Sequence, residues 1–291
     1  MVSYGSRGIR VLGALFLFCV LFLSVITPVY AEQYVFILKW GHSGSGDGEF
    51  NGGFGVVVNG SGYVYVVDEF NYRVQVFTGS GGFVSKWGSF GSGNGQFDDP
   101  TSIALDNSGN VYVTDTSNHR VQKFSCSGVY ITQLGGFGSG NGSFNLPYDV
   151  AVDSSGNIYV ADSWNDRIQK FDSSGKYIDK WGGFGLLPGQ FRQPWSVAVD
   201  ASGNVYVADT NNQRIQKFTS SGSFVSMWGT YGTGNGQFNW PIDVTVDGSG
   251  NVYVVDCYNN RVQKFTSSGS FITKWGSLGS GDGQLNTPAG V

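Results

Sequence analysis

Apolar residues in this chain fall in short runs separated by polar turns, and the order of run and turn recurs along most of its length. One stretch shows the pattern. Ser102–Leu105 is apolar, Asp106-Asn107-Ser108-Gly109 is a turn, and Val111–Thr114 is apolar again. Asp115-Thr116-Ser117-Asn118-His119-Arg120 then leads into a third run, and Ser125-Cys126-Ser127-Gly128 into a fourth, Val129–Leu134. Runs this short, rich in Val, Ile and Tyr and bounded by Asp, Ser and Gly, predict β-strands rather than helices. An Asp opening a turn bonds the backbone two residues on, and a Gly closing it accepts positive φ. A four-residue loop between the second and third runs sets Asp115 opposite Arg120 on adjacent strands, where opposite charges attract. No helical period appears beyond the first thirty residues.

The pattern is a repeat. VYVVDEFNYRVQVF begins at Val64, VYVTDTSNHRVQKF at Val111, IYVADSWNDRIQKF at Ile158, VYVADTNNQRIQKF at Val205 and VYVVDCYNNRVQKF at Val252, each 47 residues after the last. Trp40, Trp87, Trp181, Trp228 and Trp275 share one register, in which Leu134 replaces the indole. Pro100, Pro147, Pro194, Pro241 and Pro288 share another, with Gly53 in the first copy. Four antiparallel strands per unit of roughly 45 residues predict the blade of a β-propeller.

The unit resembles the NHL repeat. In the third copy that likeness rests on Pro147, an apolar run, Asp153, Gly156, Tyr159-Val160-Ala161-Asp162, Asn165, Arg167-Ile168 and Phe171. The resemblance covers residues 34–291. It implies an all-β propeller, commonly of six blades, that binds proteins, RNA or small ligands and is sometimes catalytic. Complete blades are expected at about 53–88, 100–135, 147–182, 194–229 and 241–276, with 34–41 and 288–291 as parts of an unfinished blade. A six-bladed parent with a truncated C-terminus is the expected origin.

The first thirty-one residues read differently. Arg7 and Arg10 precede an apolar run from Val11 to Ile26, and Val29-Tyr30-Ala31 offers a cut before Glu32. That order is a secretory signal, with a retained N-terminal anchor as its alternative. A secreted or cell-surface location follows, with membrane contact only if the segment is uncleaved. Its loss would move the net charge from −4 to −6, a poor charge for binding phosphates.

Residues present in every blade are expected to be scaffold. Asp68, Asp115, Asp162, Asp209 and Asp256 each have an Arg five residues on. Loops such as Gly91–Gly95 precede strands and lack a P-loop lysine, so they are not read as phosphate cradles. One carboxylate per loop at Asp47 and Asp282 is too little oxygen for calcium. Cys126 and Cys257 fall on opposite faces of different blades, too far apart to bridge. No motif asks for a cofactor.

Departures from the repeat are the candidates, and they gather on the face that carries the loops after each Asp. Tyr148, Trp164, Leu186, Leu187, Arg192 and Trp195 are expected in one sector around blades 3 and 4, as a ligand-binding patch or as roofing of the blades. The leading expectation is a non-catalytic scaffold for a protein, peptide or glycan. A metal-dependent lyase or lactonase is the alternative, and such enzymes use His or Glu clusters. Here His42 and His119 are isolated, leaving Asp149 and Asp243 as weak metal candidates near Ser102 and Ser196. RNA binding is the third class. Lys123, Lys170, Lys217, Lys264, Lys180 and Lys274 are expected round the rim rather than in a basic stripe, so nucleic acid is not expected as a partner.

Overall fold

The structure, a computed structural model, describes residues 10–14, 19–25 and 33–291, with side chains from residue 34 onward. Five four-stranded antiparallel sheets form the blades of a propeller. In blade 2 the strands are Pro100–Leu105, Val111–Asp115, Arg120–Phe124 and Tyr130–Gly135, running from the axis outward. Blades 1, 3, 4 and 5 repeat this order from Gly53, Pro147, Pro194 and Pro241. Pro288–Gly290 and Gln33–Trp40 share one further sheet, with the backbone of Arg10–Ala14 and Cys19–Val25 between them. The rest of the expected signal, residues 1–9, 15–18 and 26–31, lies outside the described residues, as does residue 32.

Strand alternation explains the core. Inward residues of facing sheets meet in clusters that each span two blades, as Tyr65, Val67 and Val74 of blade 1 do with Ile103, Val113 and Phe124 of blade 2. Burying each such side chain stabilises the fold by about 1.5–3 kcal/mol. Phe97, Phe144, Phe191 and Phe238, from the linkers between blades, are fully buried in the same layers.

Hydrogen bonds fix the linkers. Asp162 is buried and accepts from Arg167 Nε at 2.6 Å, Asn145 N–H at 2.7 Å, Gln169 Nε2 at 2.9 Å and Asn165 Nδ2 at 3.0 Å. Arg167 spends its other donors on the linker carbonyls of Ser139, Gly140 and Ser143. The same Asp–Arg pair occurs in all five blades at 2.6–2.7 Å. Burial raises the carboxyl pKa of Asp115, Asp209 and Asp256 despite the guanidinium beside each. These pairs hold the linkers in place, as the repeat implied. The turns behave likewise: Asp106 accepts from the Ser108 and Asn110 N–H groups, and Gly109 takes φ 79°.

Among the described residues the only helical elements are three-residue turns after the Asp in blades 1, 3, 4 and 5. Cys126 is exposed and Cys257 buried, both as free thiols. Lys264 corrects the rim reading: it is 2% exposed, beneath the rings of Tyr34 and Tyr253.

Candidate binding face at the channel mouth

Each inner strand begins with a β-bulge, visible as a register shift just after Pro147, Pro194 and Pro241. A bulge tilts its extra residue out of the ladder. Phe54, Thr101, Tyr148, Trp195, Ile242 and Ala289 therefore ring one mouth of an axial channel of about 240 Å³. Tyr148 and Trp195 stack with centroids 4.7 Å apart and planes 9° apart. Trp195 meets Trp240 edge-on at 5.7 Å, and Trp240 meets Tyr258 at 5.5 Å. The Thr101 hydroxyl donates to the Tyr148 carbonyl at 2.6 Å, fixing the start of the run.

The other expected site residues are placed apart from this run. Trp164 lies on the same face and is 53% exposed. Arg192 sits over the exposed ring of Phe184, 5.6 Å from its centroid. The Leu186 and Leu187 carbonyls accept from Arg214 while their side chains face solvent. Tyr148 and Trp195 are thus joined by direct contact, and the two leucines and Arg192 belong to the linker between blades 3 and 4. Sequence reasoning missed Trp240. It precedes Pro241 at φ 66°, where the other copies have Asp99, Leu146, Gln193 and Thr287.

One tier below the mouth the positions read Gly55, Ser102, Asp149, Ser196, Asp243 and Gly290. Asp149 accepts from Ser102 Oγ, Val150 N–H and Val197 N–H. Asp243 accepts from Ser196 Oγ at 2.8 Å and Val291 N–H at 2.7 Å. Both oxygens of each carboxylate are therefore engaged in tying one blade to the next. Burial raises the Asp149 pKa; burial and then the charge of Asp149 push Asp243 up to about 7. Among the described residues no group of three or more His, Cys, Asp or Glu is gathered as for a metal ion.

The junction of blades 1 and 2 departs from a contact made at the next three junctions. Thr116, Ser163 and Thr210 each donate a hydroxyl to the carbonyl of the next blade's Pro, at 2.5–2.8 Å. Glu69 holds that position in blade 1, 6% exposed, with Oε2 buried and without a hydrogen-bond partner. Burial, and then Asp99 beside it, push its pKa up to about 9. A second strap fails at the same junction. His119, Asp166, Gln213 and Asn260 accept the N–H of residues 146, 193, 240 and 287, whereas Tyr72 instead meets the Phe90 ring edge-on at 4.9 Å. Alignment of the five copies at residue 69 exposes this departure.

The NHL repeat family matches residues 97–124, 144–171, 191–218 and 238–265. No curated protein sequence matches the chain. Solved structures resemble it in fold. One is a nidogen/laminin complex, at 17% identity and a TM-score of 0.66, covering 92% of this chain and 93% of that one. Another is virginiamycin B lyase from Staphylococcus aureus, at 14% identity and a TM-score of 0.55, covering 79% and 71%. A catalytically inactive form of that lyase with quinupristin gives 16% identity and a TM-score of 0.58 over 79% and 71%. Identities this low speak to fold alone. With four copies matched, a fifth in the same register and blades of the expected topology, the chain belongs to the NHL-repeat β-propeller family.

Proposed function

We propose that this propeller is a non-catalytic binding scaffold whose ligand, a protein or peptide segment, docks on the channel-mouth face. The carrying observation is the aromatic run Tyr148–Trp195–Trp240–Tyr258, which crosses three blades at positions where the repeat varies. Rigid aromatics on one face, with exposed Trp164 elsewhere on it, supply large contact area at low entropic cost. The nidogen/laminin likeness supports a protein ligand in preference to a glycan. The basic-then-apolar leader supports export or cell-surface retention, which fractionation of the expressing cells would test.

The lyase-like alternative would draw on Asp149 and Asp243. Their oxygens already accept hydrogen bonds from the protein, which weighs against it. RNA is disfavoured because Lys123, Lys170 and Lys217 lie over the rings of Tyr112, Tyr159 and Tyr206, away from the mouth. The test is selection from a displayed peptide and protein-fragment library, followed by calorimetry on Trp195→Ala and Lys180→Ala. Loss of a central aromatic anchor should weaken binding by roughly thirtyfold, and loss of the outer-strand lysine hardly at all. Equal affinities in two folded variants would overturn the reading.

A further inference from the structure

The outer strands carry a second symmetry break, far from the channel mouth. At four junctions an indole from one blade lies against the Ser-Gly turn of the next. A Cβ added at Gly81, Gly128, Gly222 or Gly269 would come within 2.9, 2.6, 2.7 and 2.6 Å of Trp40, Trp87, Trp181 and Trp228. Each of these indoles also packs on a Phe of the next blade, with centroids 5.8–6.1 Å apart. All four blades that supply an indole of their own set a Tyr against it: Tyr65 on Trp87, Tyr159 on Trp181, Tyr206 on Trp228 and Tyr253 on Trp275.

Between blades 2 and 3 the walls are kept and the indole is gone. Leu134 stands in its place, and a Cβ on Gly175 would meet nothing nearer than Leu134 Cβ at 3.9 Å. Tyr112 and Phe171, the partners an indole would have had, line a cleft of about 360 Å³ with Leu134, Gly175 and Tyr177. Lysine placement also differs at this junction, where Lys123 helps to line the cleft instead of bridging it. Lys170 and Lys217 reach across their junctions to the Ser220 and Ser267 carbonyls, at 2.9 and 3.1 Å. Lys123 is instead held back on its own blade by Asp106 at 3.3 Å.

We propose that this cleft is a binding site for a small, planar, apolar aromatic molecule of the indole class, seated where the sibling junctions seat their own tryptophan. The volume is in the range of small-molecule sites. At the sibling junctions the indole N–H groups of Trp40, Trp87, Trp181 and Trp228 are buried without a hydrogen-bond partner. The site thus selects flat aromatic shape against Tyr112 and Phe171, with the polar side chains of Lys123, Thr132, Gln133 and Ser174 also in its lining.

The experiment is titration of the full chain with indole by calorimetry, with circular dichroism to confirm folding. The native chain should bind one indole saturably, and Leu134→Trp, which supplies the missing ring in cis, should weaken binding by at least about tenfold. Trp181→Leu should open a second equivalent cleft and raise the stoichiometry from one to two, so each variant tests the site without the other. N-acetyltryptophanamide, which mimics an indole borne on a partner chain, should compete no better than indole. Equal binding by the native chain and Leu134→Trp, or no saturable binding up to the solubility of indole, would overturn the site. Tighter binding of the amide would overturn its assignment to a free small molecule.

Discussion

The Asp–Arg clamps and the channel-mouth ring lie on the same side of the propeller a few residues apart, yet they obey opposite rules. Each clamp is nearly identical in all five blades, down to the short Arg–Asp contact. At the ring, Phe, Thr, Tyr, Trp, Ile and Ala share one backbone position. A buried carboxylate with four donors tolerates no change, because any missing donor strands a charge in a place water cannot reach. A bulged residue lies outside the strand ladder, so side chains as different as Thr101, Trp195 and Ile242 fit there without disturbing the backbone pairing behind them. Variation therefore marks where selection for a ligand can act, and constancy marks where the fold would fail.

Breaking a clamp should have the largest effect. Asp162→Ala leaves Arg167 buried without its partner, and denaturant unfolding should show a loss of about 3–5 kcal/mol; a loss under about 1 kcal/mol would remove the clamp from the scaffold. Next comes Glu69, a carboxyl at the position where blades 2, 3 and 4 carry a bonded hydroxyl and blade 5 carries Cys257. Its folded pKa stands above its ordinary value, so the folded state keeps a proton that the unfolded state loses from about pH 4.5 upward. That stability is complete below pH 4.5 and lost as pH rises to about 9. Asp243 contributes the same sign up to about pH 7. Glu69→Gln should raise stability at pH 9 by about 2–3 kcal/mol and flatten the slope between pH 7 and 9, leaving part of it below pH 7. An unchanged slope would assign the pH dependence elsewhere.

A smaller effect is expected at Ser163→Ala, which removes one hydroxyl bond to the Pro194 carbonyl and should cost about 1–2 kcal/mol with ligand binding intact. The smallest sharpens the contrast from the other side. Trp164→Ala removes an exposed ring of the binding face and should shift stability by under about 0.5 kcal/mol. The same change should weaken a selected ligand measurably, and a large stability loss would make Trp164 part of the roof.

The fold was legible because repetition multiplies weak local signals. One Asp five residues before an Arg means little, but five such pairs in one register announce both the hairpin and the clamp. The candidate face was legible only in outline. Tyr148 and Trp195 could be paired from their common position on neighbouring inner strands. Trp240 could not, since a residue before proline reads as linker until its left-handed backbone aims the ring at the mouth. Arg192 was not legible as a ring partner for a related reason: Phe184, over which it sits, comes from the same linker, eight residues back. Lys264 looked like a rim cation because its cover, Tyr34, comes from the opposite end of the chain. Contacts of that span leave no trace in a 47-residue period.

The clamp also sets a clock for synthesis. Arg73, Arg120, Arg167, Arg214 and Arg261 each bond a linker carbonyl 27 residues upstream of themselves. A linker leaving the ribosome therefore stays unbuttoned until the third strand of its own blade has followed it. At about 5–20 residues per second that delay is roughly 1–5 s for every blade. The chain is thus fastened stepwise from its N-terminal end, each blade waiting only on the next few dozen residues.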